Sequence, residues 1–453
     1  MSYQLAVEQL YARGHELAPP QPGAPRRKFD LAYMRTLMKD LGDPQTTFPA
    51  VLIAGTNGKG STASTLASVL GVSGYRAGLY TSPHLERINE RVRIGSQLIS
   101  DDDFARLYFQ VDDAANRLVA SGDLPHTPSF FEVMTAIAFL SFAEQKVDIA
   151  VLEVGLGGRL DATNIVEPIV SVITDLGLDH MDYLGPTLTH IAKEKAGILR
   201  KNGVMVTLPQ HPEANYALGE VAVPLEVRGV NAAAYIPDRG LAQVSPFRNV
   251  YPARILGQDV TIDSPLGGSH QQRNLALAIA TAVELNQHHG FAKITAATIA
   301  EGIRSTAWPG RLELLTSNGV DFLLDVAHNP DGAWTLRSAI GQLPDERPRT
   351  LVFSCLKDKA VEGIAQTLFP LFDSSADRVH DHIVLAPMNN PRAASLSDLE
   401  QAAAHMEIPV ETASSVAQAI DKARRVTPPS GLVIITGSVY LIGEARRILK
   451  RDD

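Results

Sequence analysis

Two rhythms of apolar and polar positions alternate along this chain. Short continuous apolar runs, as at Ala50 to Ala54, Ala77 to Tyr80, Ile149 to Glu153 and Ile169 to Thr174, lack the alternation of a half-exposed strand and predict strands buried on both faces. Between them the period lengthens. Ala63, Leu66, Ala67 and Leu70 stand at i, i+3, i+4 and i+7 and predict a helix from about Ser61; Leu188, Ile191 and Ala192 predict another from Thr187. A second series starts after Arg311, with strands at Val320 to Asp325, Thr350 to Ser354, His382 to Ala386 and Leu432 to Thr436, each followed by helical sequence. Strands alternating with helices predict parallel sheets. The fold class is therefore α/β in two successive units, the second Rossmann-like. Trp308-Pro309-Gly310 punctuates the stretch between them, which places the boundary near residue 304 and gives units of 1–304 and 305–453. Pro19 to Pro25, with four prolines in seven residues, predicts an exposed loop after a first short helix.

Candidate chemistry gathers where strands end. Gly55-Thr56-Asn57-Gly58-Lys59-Gly60-Ser61 joins the first strand to a helix. Glycines let backbone N–H groups approach a phosphate, the helix N-terminus adds positive potential, and Lys59 supplies a mobile cation. The reading is an ATP-binding loop, although Ser61 does not follow the lysine directly as the generic motif requires. Glu153 closes its strand ahead of Gly155 to Gly158, and His180 follows the strand at 169–174 through Asp175-Leu176-Gly177-Leu178-Asp179. Both reach the carboxyl edge, where open α/β sheets bind ligands, and Ser82 reaches it from the strand at 77–80. Mg2+ needs only one or two hard oxygen ligands near the phosphates, so Ser82, Glu153 and His180 are the candidate metal set. An ion pair to Arg159 is the alternative use of Glu153. Lys195 falls at i+7 on the apolar stripe of its helix. A buried lysine is costly unless paired, deprotonated or modified, so snorkelling, pairing with an acid and carbamylation are its three readings.

Composition narrows the partners. The 453 residues exceed one compact core, and 45% apolar with 20% charged residues is ordinary for a soluble protein. A formal net charge of −9 argues against nucleic acid and for small-molecule substrates. No apolar run reaches the roughly 18 residues of a bilayer span, and Met1 to Leu10 shows no secretory pattern, so no membrane and a cytoplasmic location are expected. The lone Cys355 excludes an intramolecular disulfide and reads as a small buried residue beside a strand. A monomer is the expected state.

Taken together, the phosphate loop, Ser82-Pro83-His84-Leu85, the stretch from Leu152 to Asn164, Leu178-Asp179-His180 and Glu194-Lys195-Ala196-Gly197-Ile198 closely resemble the folylpolyglutamate synthase/dihydrofolate synthase family. The likeness continues through Pro309-Gly310-Arg311-Leu312-Glu313, Asp325-Val326-Ala327-His328-Asn329-Pro330 and Thr436-Gly437-Ser438, so it spans essentially the whole chain. The resemblance implies a Mur-ligase-like architecture, with an ATP-binding P-loop domain, a C-terminal Rossmann-like domain and the active site between them. It implies that Ser82, Glu153 and His180 hold Mg2+, as one ion or two with K+ a further candidate, and that Lys195 is the family's carbamylated lysine. Asn274, Arg311 and Asp325 match the family's ATP contacts; an N-cap is the alternative use of Asp325. His328 shares that loop and falls near the acyl phosphate.

The family's pterin pocket is similar to Asp30-Leu31-Ala32-Tyr33, Ser129-Phe130-Phe131-Glu132 and Asp161. Phenylalanines flanked by an acid suit a flat heterocycle, while Phe130 taken alone reads as core packing. Ala32-Tyr33 stands where relatives often have Gly-Leu. The implied reaction joins L-glutamate to dihydropteroate, to folates or to both, with Lys59, Lys195 and His328 as catalytic groups. A peptidoglycan Mur ligase would share the chemistry but would be expected to carry a further domain ahead of a loop that here starts at Gly55. A GTP-dependent switch would carry an Asn-Lys-x-Asp motif, which this sequence lacks.

Overall fold

The computed structural model describes residues 2–14, 30–238, 243–245, 247–357, 359–374, 378 and 380–451; the proline-rich stretch at 19–25 lies outside the described residues. The first short helix is Tyr3–Ala12. A sheet of eight strands follows: β1 (Ala50–Ala54), β2 (Ala77–Tyr80), β3 (Val92–Ile94), β4 (Gln97–Leu98), β5 (Ile149–Glu153), β6 (Pro168–Ile173), β7 (Val204–Thr207) and β8 (Arg228–Asn231), in the order β4-β3-β2-β5-β1-β6-β7-β8. Every residue of β1 and β5 is buried, because helices cover both faces. Along β1 the side chains alternate. Val51 and Ile53 join the core formed with the helices Lys59–Val72, Ser269–His288 and Ala296–Arg304, whereas Ala50, Leu52 and Ala54 join the opposite core with Phe130–Glu144.

Three antiparallel strands, β9 (Gln243–Ser245), β10 (Arg248–Ile255) and β11 (Gln258–Ser264), interrupt the strand–helix rhythm. The second large sheet comprises β12 (Glu313–Ser317), β13 (Val320–Asp325), β14 (Arg349–Phe353), β15 (His382–Leu385), β16 (Glu411–Thr412) and β17 (Leu432–Thr436), ordered β12-β13-β17-β14-β15-β16. Neither large sheet is wholly parallel. At one edge β3 and β4 run antiparallel, and so does β12 at the other sheet's edge. β3–β4 and β12–β13 are joined by two-residue turns and β2–β3 by the loop at 81–91, so none of these antiparallel pairs needs a helical crossover. Asn318 and Gly319, with φ of 50° and 76°, make the β12–β13 turn, for which Asn-Gly is the favoured pair.

The predicted strands at 50–54, 77–80, 149–153, 320–325 and 432–436 are matched to the residue, and the others within one. Lys59 rather than Ser61 opens the first long helix. Cys355 is fully buried just after β14. Among the described residues no helix is long and apolar enough to cross a membrane. Loops after the carboxyl ends of β1, β2, β5 and β6 and of β13, β14 and β17 open into one cavity of about 1760 Å3.

Candidate active site between the two sheets

The phosphate loop is fixed from below and capped from the side. Thr56 and Asn57 donate their backbone N–H groups to the Asp175 carbonyl at 2.9 and 3.2 Å, and Thr56 Oγ1 donates to the Gly177 carbonyl at 3.0 Å. Gly58 has φ +89°, and a Cβ there would collide with the Asn274 side chain; one on Gly60 would meet the Trp308 ring at 2.6 Å. Glycine is therefore a packing requirement at both positions and, at Gly58, a conformational one as well. Lys59 folds back over the loop, its Nζ 3.2 Å from the carbonyls of both Gly55 and Thr56. Ser61 is buried in the first helical turn, and all seven loop residues line the cavity.

Glu153, only 4% exposed, accepts a hydrogen bond from the Ser82 backbone N–H at 3.1 Å, which ties the ends of β5 and β2 together. Arg159 pairs with Glu194 at 2.9 Å. Burial, and then the charge of Lys359, bring the His180 imidazole down to about 4, so it is neutral at pH 7 and can offer a lone pair to a metal. No three His, Cys, Asp or Glu side chains cluster closely enough among the described residues to hold an ion by themselves. A carboxylate, a hydroxyl and a neutral imidazole beside a phosphate loop nonetheless suit Mg2+, which keeps several waters and shares phosphate oxygens.

Lys195 neither snorkels nor reaches solvent. It is 5% exposed, and its Nζ donates to the Gly55 carbonyl at 2.7 Å. Burial, and then the nearby Lys59 ammonium, lower it to about 7, which leaves an appreciable share of neutral amine at physiological pH.

From the second sheet come Arg311, Asp325 and His328, and from the helix Ser269–His288 comes Asn274; all four line the cavity. Asp325, raised by burial, accepts from the backbone N–H groups of Leu312 and Ala327 at 3.0 and 2.9 Å. It is not the cap of the following helix, a role taken by Asn329. His328 is lowered to about 4 by burial and then by Lys359. Its Nδ1 lies 2.8 Å from the Val326 carbonyl and must carry the proton, which leaves Nε2 as the basic nitrogen.

Residues 53–282 match the Mur ligase middle domain, and residues 310–439 match the Mur ligase glutamate ligase domain. A dihydrofolate synthase/folylpolyglutamate synthase of Bacillus subtilis is 35% identical over 93% of this chain and 95% of its own length. The chain belongs to the dihydrofolate synthase/folylpolyglutamate synthase family. Like its relatives it is an ATP-dependent ligase. Its backbone superposes on the Mycobacterium tuberculosis folylpolyglutamate synthase complexed with ADP with a TM-score of 0.85 at 32% identity, covering 99% of this chain and 98% of the other. For Escherichia coli FolC in complex with DHPP and ADP the TM-score is 0.81 at 28% identity, covering 100% and 98%.

In this family member the expected pterin residues divide. Asp30, Leu31, Ser129, Phe131, Glu132 and Asp161 line the cavity, whereas Ala32, Tyr33 and Phe130 do not. Successive helical residues point about 100° apart, so a run of four cannot all face one cleft. Ala32 is exposed, and Tyr33 turns to the His126 ring at 5.6 Å. Phe130, at 3% exposure, packs on Tyr11 beneath the Arg91 guanidinium, as core packing predicts. The acids also serve local structure. Asp30 caps its helix through the Ala32 N–H at 2.8 Å, and Ser129 and Glu132 form a capping box. Asp161 accepts from Gly155, Leu156 and Thr163 N–H groups, each at 3.0 Å, and so organises the loop after β5.

Several cavity residues were not singled out by sequence reasoning. Asn329 Nδ2 reaches Asn57 Oδ1 at 3.1 Å and Asp179 Oδ2 at 3.2 Å, joining the two sheets. Burial alone would raise the Asp179 carboxyl, but Lys359, His180 and His328 outweigh it and hold it well below the usual range. Lys359 itself follows β14 and also lines the cavity. The strand-end argument that found Glu153 would have found it too.

Proposed function

We propose that this chain is a cytoplasmic, monomeric, ATP- and Mg2+-dependent ligase that adds L-glutamate to both dihydropteroate and folates, with 1–304 holding nucleotide and pterin and 305–453 closing over them. The supporting observation is a single cavity lined both by the phosphate loop with Lys59, Lys195 and Arg311 and by Phe131, Asp30 and Asp161. Such a cavity brings a flat acceptor's carboxylate to the terminal phosphate of ATP.

The acceptor carboxylate attacks the γ-phosphorus, ADP leaves, and an acyl phosphate remains. The glutamate amine then attacks the acyl carbon, and the tetrahedral species expels phosphate as the amide forms. Lys59 and the loop amides stabilise charge on the transferred phosphoryl group. When bound between Ser82, Glu153 and His180, Mg2+ supplies further neutralisation of the phosphate oxygens. His328, whose Nε2 is its basic nitrogen, takes a proton from the attacking amine in this reading. Addition of CO2 to the neutral Lys195 amine, forming an N–C bond and releasing one proton, would give a carbamate anion beside the loop, able to orient a water or ion there. Closure between the two sheets keeps water from the acyl phosphate.

The test is ADP release by purified protein with ATP, Mg2+ and L-glutamate, comparing dihydropteroate with tetrahydrofolate and weighing the products. A glutamyl increment on both is the expected result; an increment on one assigns a single activity, and release with neither defeats the folate reading.

A further inference from the structure

Lys359 is a buried cation to which the reaction described above assigns no task. It sits between β14 and the helix Val361–Leu368, its side chain 7% exposed. Its Nζ donates to Asp179 Oδ1 at 2.9 Å and lies 3.4 Å from His180 Nε2. An ammonium can only donate, so the His180 Nε2 lone pair faces it. That nitrogen has one lone pair. A lysine N–H and a divalent ion therefore exclude each other there. The surroundings sharpen the competition, because Lys59 and His328 also stand close enough to act on His180. Asp179 is the counter-charge that holds the lysine, and Asn329 shares its other oxygen.

We propose that Lys359 is a stand-in cation at the metal seat: in the nucleotide-free enzyme it occupies His180 Nε2 from across the cleft, and a divalent ion takes that position only after the nucleotide's phosphates have drawn the ammonium away. The inference rests on Ser82, Glu153 and His180 being the metal ligands. It makes metal and nucleotide bind with strong positive coupling, felt equally by each. It also keeps the two sheets tied through Asp179 until the nucleotide arrives.

The experiment is Mn2+ titration of the full chain followed by electron paramagnetic resonance, with and without a non-hydrolysable ATP analogue. The proteins are the wild type, Lys359→Met, Lys359→Gln, Lys359→Arg and Glu153→Gln. Without nucleotide, both neutral variants are expected to bind Mn2+ at least about tenfold more tightly than the wild type, since a like charge a few ångströms away is gone. The tightening contributed by nucleotide should shrink by the same factor, and Lys359→Arg should behave as the wild type. Unchanged or weaker Mn2+ affinity in both neutral variants, with circular dichroism showing them folded, overturns the proposal. Glu153-dependent Mn2+ binding in the presence of nucleotide tells the two failures apart. If it is seen without the tightening, only the role of Lys359 falls; if it is absent from the wild type, the metal assignment falls and the proposal with it.

Discussion

Two groups of residues that line the cavity are reached by the chain in different ways. Around the proposed nucleotide site, Gly55 to Ser61, Ser82, Glu153 and His180 all line the cavity, and every one sits at a strand's last residue, in a loop or in a first helical turn at the carboxyl edge of the sheet. Around the proposed pterin site, the tetrads 30–33 and 129–132 straddle helix starts, and three of the eight residues turn away. A glycine loop wraps its ligand, so consecutive residues can all contribute. A helix presents one face, so only residues about one turn apart can. Adjacent letters in a motif therefore carry unequal functional weight according to the backbone beneath them.

The largest test of this contrast is Glu153→Gln. Losing the buried carboxylate at the phosphate loop should lower product formation by on the order of 10^3-fold or more, the kinetic equivalent of several kcal/mol, with the melting temperature largely unchanged. Retained turnover at saturating Mg2+ would remove Glu153 from the ligand set.

Next comes the pair of adjacent phenylalanines. Phe130→Ala should destabilise the fold by about 3–5 kcal/mol, as truncation of a buried phenyl ring does, while leaving the KM for dihydropteroate near the wild-type value. Phe131→Ala should do the reverse, raising that KM about tenfold with a smaller loss of stability. Denaturant unfolding and steady-state kinetics on both variants decide it; equal behaviour would break the comparison between cavity-facing and core-facing positions.

Lys195 yields a pH prediction. Its folded-state pKa lies near 7, below the 10.5 of the free side chain. Below about pH 7 both states hold the proton and the cost of the buried charge is fully present. As pH rises from there towards 10.5 the folded state sheds its proton first, so stability is gained. Lys195→Met should therefore be more stable than the wild type at acidic pH, with the gap closing as pH rises. Melting temperatures across that range check it, and a gap independent of pH would refute the lowered value.

The smallest effect is expected at Ala32, exposed on its helix. Ala32→Ser should change stability by no more than about 0.5 kcal/mol and leave the dihydropteroate KM unmoved. A large KM shift would put the exposed side of that helix back into the pterin site.

Legibility followed the range of the interactions. Buried strands such as 149–153 were readable because a run of apolar residues fixes a strand by itself, and the Gly58-Lys59-Gly60 loop because phosphate binding needs those residue types consecutively. The β10–β11 hairpin and the edge strands β3, β4 and β12 escaped a reading tuned to helical crossovers, although Asn318-Gly319 was a local turn signal.

The sequence by itself determined the α/β alternation, the phosphate loop and the acid at the end of β5, since each depends on neighbours along the chain. Lys195 was half determined: its place on an apolar stripe announced burial, but only packing against the phosphate loop brought its Nζ to the Gly55 carbonyl. The pairing of Lys359 with Asp179 and the meeting of Asn329 with Asn57 were decided by tertiary structure alone. These contacts join residues 180 and 272 positions apart, across two sheets whose relative placement no local rule of spacing or propensity can encode.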